Sequence, residues 1–370
     1  MPDRRELCII FDAGGVMTLE ESIDWAGASR ALAEWYRENG RHLPWRLTAD
    51  PYAVWVSETM LQQTQVSRVV PLYLAWLSAF PNCRSLAEAD ESAVLSLWRG
   101  LGYYSRARNM LASARLIVSA GYDGPPNDQA FLAGLPGFGP YTAAAVRALA
   151  YDEPTAALDG NLRRVSSRLT DLDKDPALSE GNKVCQRAVE SLMKFQSPRL
   201  LTNALMDLGS GPCAPRPRCL LCPLEPYCLA RKRGTTALRP VRRAARPIRR
   251  RFGAALLFST QTKLAVRQRP KGGLWSEFWE IPWEVGSDGE DSGVTARRLA
   301  ASLGEESFPE PLTPSVTMRF TSWQVETKLF RAASQPTGTE LLPVDDALSL
   351  PMPLGILRLL REALQSGLIR

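Results

Sequence analysis

Apolar residues recur at helical spacing through most of the first 230 positions. In SRALAEWYRENG, Leu32, Trp35 and Tyr36 share one face, Ser29 stands as an N-cap and Gly40 closes the segment. PYAVWVSETMLQQTQVSRVVPLYLAWLSAF continues the spacing, with Pro51 and Pro71 as punctuation. DESAVLSLWRGLG begins on an acidic cap and ends at Gly100 and Gly102. Strand-like alternation is nearly absent, so residues 29–230 are expected to form a mainly α domain. From 252 the texture changes. FGAALLFS, KLAVRQR, FWEIPWEV and SWQVETKLFRA are rich in β-branched and aromatic residues and predict strands, while TARRLAASLG and ILRLLREALQSG predict helices. Residues 252–370 thus read as a separate α/β domain. Between the two, residues 231–251 carry ten Lys or Arg, no acid, and Pro240 and Pro247. They read as a basic linker and a candidate phosphate-binding strap.

Composition narrows the class. The chain has 370 residues, which suits two domains, and is 45% hydrophobic and 23% charged, as globular chains are. Lys and Arg exceed Asp and Glu by 45 to 39, so the clustering of the basic residues says more than the excess. No apolar run reaches membrane-spanning length, and Asp12 and Gly14 break the run Leu7–Phe11 too early for a signal peptide. A cytoplasmic protein with no membrane partner is expected. Residues 1–28 read as an N-terminal extension. Within it, IIFDAGGV resembles the first strand of haloacid-dehalogenase-type phosphatases, but Gly14 stands where that family has its second Asp. An accessory strand or tail is the reading.

Seven cysteines, an odd number, argue against a disulfide scaffold. Cys213, Cys219, Cys222 and Cys228 fall within sixteen residues, spaced C-x5-C-x2-C-x5-C. Thiolates this dense repel and oxidise unless a metal centre shares their charge, and both a tetrahedral zinc and a four-iron, four-sulfur cluster take four such ligands. Cys8, Cys83 and Cys185 stand alone and read as small core residues. LPGFGPYTAAAV is a Gly-rich turn opening a helix. There, Gly137 and Gly139 permit close backbone approach, and the helix N-terminus can hold a phosphate. Two carboxylates stand out. Glu58 lies among apolar helical neighbours, and Asp159 follows the run AAL at a helix start. Taken alone, they read as a solvated helix charge and an N-cap.

LPWR, SETMLQQTQV, GLGYYSRARN, LPGFGPYT, LDGNLRRV and the four-cysteine loop occur in this order. As a set they resemble the MutY family of adenine-DNA glycosylases, within the endonuclease III superfamily, over roughly residues 29–350. The resemblance implies a two-subdomain fold with a helix–hairpin–helix at 135–146. The first helix would join the cysteine-bearing portion, and the active cleft would lie between the subdomains. It favours the four-iron, four-sulfur cluster over zinc, and implies binding to double-stranded DNA, near the nucleoid and as a monomer. The implied reaction is hydrolysis of the glycosidic bond of adenine mispaired with 8-oxoguanine or guanine. The family's general acid matches Glu58, the carboxylate facing the sugar cation matches Asp159, and its polar support matches Asn161. Gln63 and Tyr103 match residues that enter the opened helix, and Arg46 matches one lining the adenine pocket.

Two rival activities are weighed by single positions. Bifunctional glycosylase/lyases of the superfamily carry Lys in the hairpin motif. Here the position is Tyr141, and no Lys lies in 135–146, which points to water as nucleophile. The C-terminal domain resembles the Nudix-like domain of the MutY family. Nucleotide hydrolysis by such domains needs glutamates for magnesium, but the matching helix offers Arg298, Ala301 and Ser302. DNA reading is the role left to it. Two departures from the family are visible. The cysteine spacing begins x5 where x6 is usual, and the Phe-Ser-His loop that meets 8-oxoguanine is replaced by Thr317, Met318 and Arg319. Thr317 is expected to donate a hydrogen bond to the oxidised base, and Arg319 to contact phosphate.

Overall fold

Asp24 starts the helical part of the chain, five residues before the spacing predicts. Its carboxylate accepts a hydrogen bond from the Gly27 N–H at 2.9 Å, and α1 runs Trp25–Asn39. Ser29, expected as the cap, is buried inside this helix and donates to the Leu192 carbonyl at 2.9 Å. The computed structural model describes residues 9–12, 15–18, 23–242, 248–270, 272, 274–320 and 323–369. Cys8, Gly14 and linker residues 243–247 lie outside the described residues. Upstream of α1, β1 (Ile9–Asp12) and β2 (Gly15–Thr18) pair antiparallel.

The chain divides into two units, Met1–Arg243 and Ala244–Arg370. In the first, α1 is followed by α2 (Pro51–Leu61), α3 (Val66–Ala79), α4 (Cys83–Ala87), α5 (Glu91–Leu97), α6 (Ser105–Ser119), α7 (Gln129–Ala133) and α8 (Pro140–Tyr151). Then come α9 (Gly160–Leu169), α10 (Ser179–Met193), α11 (Pro198–Ser210) and α12 (Leu229–Lys232). Pro71, read as punctuation, sits within α3. It is on the exposed face, where water can satisfy the carbonyl that loses its N–H partner.

These helices bury two separate cores. One gathers Leu43 to Ala157 around Trp55, Trp76 and Trp98. The other joins α1 to α9, α10 and α11, with Trp25, Leu32, Leu162, Val189 and Leu205. The chain crosses between cores twice, once between Ala33 and Leu43 and once between Ala157 and Leu158. The second crossing falls immediately before Asp159. Between α7 and α8 the hairpin turns on Gly137, whose φ of 79° is open to glycine and strained for other residues. A Cβ there would also come within 3.0 Å of Asn109 on α6.

The second unit is α/β, with β3 (Arg249–Leu257), β4 (Lys263–Gln268), β5 (Trp279–Glu280) and β6 (Trp283–Val285). These precede α13 (Ser292–Ser302), β7 (Glu310–Arg319), β8 (Trp323–Arg331), β9 (Glu340–Pro343), α14 (Val344–Ser349) and α15 (Leu354–Gln365). One sheet has the order β6-β3-β8-β7, with β3 and β8 parallel, and the other the order β5-β4-β9. Residues 231–251 share out between elements at both ends: α12 takes the first two, and β3 takes the last three, pairing Arg249 with Trp323.

Candidate active site

Nine consecutive residues of α2, Tyr52 to Met60, are buried. Glu58 is among them and only 4% exposed, so it is no solvated helix charge. Burial pushes its carboxyl up to about 7, and the charge of Asp159 pushes the same way. The Tyr141 hydroxyl, at the start of α8, donates to Glu58 Oε2 at 2.5 Å and, with Arg46, pulls in the opposite direction. Two helices of the first core therefore hold one carboxyl that is near half-protonated at neutral pH.

Asp159 is the N-cap of α9. Its Oδ1 accepts from the Leu162 N–H at 2.7 Å and its Oδ2 from Asn161 Nδ2 at 3.1 Å. Burial raises its pKa, while the Leu162 and Asn161 N–H groups and the Arg164 guanidinium favour its ionised form. The local cap and the candidate catalytic carboxylate are thus the same side chain, which the helix end orients. Two carboxyls in unlike surroundings, one buried among apolar helices and one at a helix N-terminus, are suited to acid and anion roles respectively.

Arg46 belongs to the same neighbourhood. It lies at the end of the short turn Pro44–Arg46, and its guanidinium forks onto Asp207 of α11 at 2.6 and 2.7 Å. Arg41 adds its own N–H at 2.9 Å and its Nε at 2.6 Å to that carboxylate. Asp207 is buried, and although burial raises its pKa, the Arg46 and Arg41 bonds hold it below the usual carboxylate range. Asp207 was not singled out from sequence. The available signal was a lone acid on the buried face of the apolar stretch TNALMDLGS.

Behind Asp159, α9 carries two buried arginines that the sequence reading also passed over. Arg164 donates to Asn161 Oδ1 at 2.7 Å, to the Gly209 carbonyl at 2.5 Å and to the Cys213 carbonyl at 2.9 Å. Arg168 reaches the carbonyls of Cys213 and Ala214 at 3.1 and 2.8 Å, and lies 3.4 Å from Cys213 Sγ. One helix thus joins the support of Asp159 to the cysteine loop. Cys213, Cys219, Cys222 and Cys228 line a single cavity whose walls include Val165, Leu169, Leu208 and Leu224. Burial pushes the Cys222 and Cys228 thiols up to about 12 and 11. Among the described residues, no group of three or more His, Cys, Asp or Glu surrounds a point where one metal ion could sit. Cys83 and Cys185 are buried core residues away from this cavity.

Gln63 and Tyr103 stand at two turns of the first core, and both are held at positive φ, 58° and 46°. The Tyr103 ring is 65% exposed. Gly139 caps α8 with open space where a Cβ would be. Thr317 and Arg319 are in the second unit. They were expected in a loop but lie on β7, both exposed, with buried Met318 between them. Across β8 they face Glu326 and Gln324. In α13, Arg298 pairs with Glu284 and Glu290, and the helix itself carries no carboxylate.

The model of the HhH-GPD superfamily of base excision DNA repair proteins matches residues 56–191. Human adenine DNA glycosylase is 38% identical over 213 residues, which are 55% of this chain and 39% of the human protein. The adenine DNA glycosylase of Buchnera aphidicola subsp. Acyrthosiphon pisum is 31% identical over 260 residues, 69% of this chain and 73% of that protein. This chain spans about two fifths of the length of the mammalian relatives it matches, from 39% to 42%. Among solved structures, a thermostable thymine-DNA glycosylase is 25% identical, with a TM-score of 0.50, over 55% of this chain and 95% of that one.

Proposed function

Because the chain belongs to the adenine DNA glycosylase family, we propose that it hydrolyses the N-glycosidic bond of adenine mispaired with 8-oxoguanine or guanine in double-stranded DNA, as a monofunctional enzyme of base excision repair. The observation that carries this reading is Glu58, buried and brought to about 7, with Tyr141 bonded to it and Asp159 close enough to disfavour its ionisation. Protonated Glu58 gives its proton to the adenine ring as the bond from the sugar carbon to the base nitrogen breaks. Adenine leaves with the bonding electrons and that proton. Ionised Asp159 faces the cationic sugar, held in aim by Asn161 and the α9 N-terminus. Water then adds to the sugar carbon and releases a proton, leaving an abasic site. Arg46, held in place by its fork onto Asp207, is proposed to line the pocket of the flipped base. Tyr141 has no amine with which to form a Schiff base, so strand cleavage does not follow.

The cysteine cavity supports a four-iron, four-sulfur cluster better than a single zinc. Four thiols line one largely apolar space, and the family to which the chain belongs favours the cluster. Cys213, Cys219, Cys222 and Cys228 would hold the cluster, which when bound draws the four thiols into their charged form. Purified protein is expected to be brown and to carry about four irons per chain. Cys219→Ala should lower iron and DNA affinity together. Zinc without iron after anaerobic purification would defeat the assignment.

In the second unit, the exposed face bearing Thr317 and Arg319 is proposed to read the base opposite adenine, in a Nudix-like domain that does not hydrolyse nucleotides. Among the described residues no helix is long and apolar enough to cross a membrane, and we place the protein at DNA in the cytoplasm, acting as a monomer. The deciding experiment is excision on matched duplexes with adenine opposite 8-oxoguanine, guanine, cytosine or thymine. Excision should favour the first two and leave an intact abasic strand until alkali is added, and borohydride should trap little protein on the DNA. Efficient trapping would move the chain to the lyase branch, and no adenine release on any duplex would end the proposal.

A further inference from the structure

Arg106, on the first turn of α6, makes more main-chain bonds than its place on a helix surface suggests. Its Nη1 donates to the carbonyls of Thr59 at 2.7 Å, Gln62 at 2.8 Å and Met60 at 3.4 Å, all at the end of α2. Its Nη2 donates to Leu101 at 3.0 Å and Gly102 at 3.3 Å, in the turn between α5 and α6. The guanidinium also lies 5.3 Å from the Trp98 ring and 5.7 Å from the Tyr103 ring. Each of the two bound turns ends in a residue at positive φ, Gln63 after Gln62 and Tyr103 after Gly102.

A positive φ is costly for a side chain longer than glycine, so something outside the turn must hold it. Arg106 does this for both turns at once, through one rigid planar group. We propose that Arg106 is a positioning residue that fixes the spacing of the Gln63 and Tyr103 turns, so that both side chains enter the duplex together and hold the adenine out. This rests on the reading that those two residues enter the opened helix. Lys cannot replace Arg here. A single ammonium has three donors at one point, whereas the guanidinium presents separate edges to two turns and a flat face to an aromatic ring.

The test uses full-length protein carrying Arg106→Lys, with 2-aminopurine beside the target adenine as a reporter of unstacking. Two substrates are compared: a fully paired duplex with adenine opposite 8-oxoguanine, and a bubble that leaves the adenine unpaired. On the paired duplex, excision and the fluorescence rise should both slow by about tenfold or more, the scale of losing charged hydrogen bonds, and on the bubble the loss should stay within about threefold. The pH profile should not move, because Glu58 keeps its own partner, Tyr141. Equal losses on both substrates, a shifted profile, or unchanged excision from the paired duplex would overturn the proposal.

Should Arg106→Lys fail to fold, Gly102→Ala loads the same turn from the other side. The φ there is 70° and nothing lies within 4 Å of a new Cβ, so strain in the turn is the whole perturbation. It should give the same split between substrates, and an equal loss on both again overturns the proposal. Gln63→Ala and Tyr103→Ala check the premise. If neither slows the fluorescence rise on the paired duplex, the reading that they enter the helix is what has failed.

Discussion

Glu58→Gln should bind mismatched DNA normally and excise adenine at least ~100-fold more slowly, the scale of removing a positioned acid. Gln has the same shape and can still accept the Tyr141 hydroxyl, but it has no proton to give to the base. The pH dependence follows from the same group. Glu58 must be protonated to act, so wild-type excision should fall as pH rises past about 7. The Tyr141 bond favours the carboxylate, so Tyr141→Phe should move that limb to higher pH.

Stability should fall with rising pH as well. The folded carboxyl titrates near 7 against an ordinary 4.5, so the stability that comes with its proton is full below about 4.5 and lost as pH rises through 7. The Gln variant escapes that loss. At pH 8 it should be the more stable protein by as much as ~3 kcal/mol, and the difference should vanish by pH 4 to 5. Thermal unfolding of both proteins across this range reads the difference directly. Substantial excision by Glu58→Gln would show that Glu58 is a bystander. A stability gap that does not depend on pH would refute its burial as a proton-holding acid.

Asp159→Asn should lose roughly 100- to 1000-fold in rate, the scale of removing one preorganised electrostatic partner of a developing charge. Asn is as good an N-cap as Asp, so α9 and the fold should persist. What disappears is the negative charge beside the sugar cation. Single-turnover rates at saturating enzyme separate this from weakened binding. Asn161→Ala should cost less, since the Leu162 N–H still holds the carboxylate. If Asp159→Asn keeps near wild-type rates while unfolding normally, the carboxylate is only a cap.

The candidate site was legible only through the set of motifs that carries the family resemblance. Taken singly, Asp159 read as the N-cap it is, while Glu58 read as a solvated helix charge, and its burial came only with the fold. What escaped the sequence was long-range. Ser29 is a good cap by residue type, yet its hydroxyl is committed to Leu192, and the Asp24 carboxylate caps the helix instead. Asp207 and Arg46 are 161 positions apart, so neither advertises the other. Arg164 and Arg168 look like a charged stripe on α9, while in the fold they face carbonyls of the cysteine loop. Thr317 and Arg319 read as a loop by likeness. Their alternation about buried Met318 is strand geometry, and the pairing with β8 fixes it.

The two crossings between cores also dictate an order of events at the ribosome. Helix α1 is made before the whole first core, but its apolar face has no partner until α9, α10 and α11 emerge. The bond from Ser29 to Leu192 closes over 163 positions. Because chains are released N-terminus first and domains fold as units, the Leu43–Ala157 core can pack while α1 still waits with Trp25 and Leu32 uncovered. Only when α11 docks on α1 does Asp207 reach Arg41 and Arg46. The fork of Arg46 onto Asp207 is therefore among the last contacts made, and a nascent chain halted before residue 207 lacks the carboxylate that Arg46 leans on.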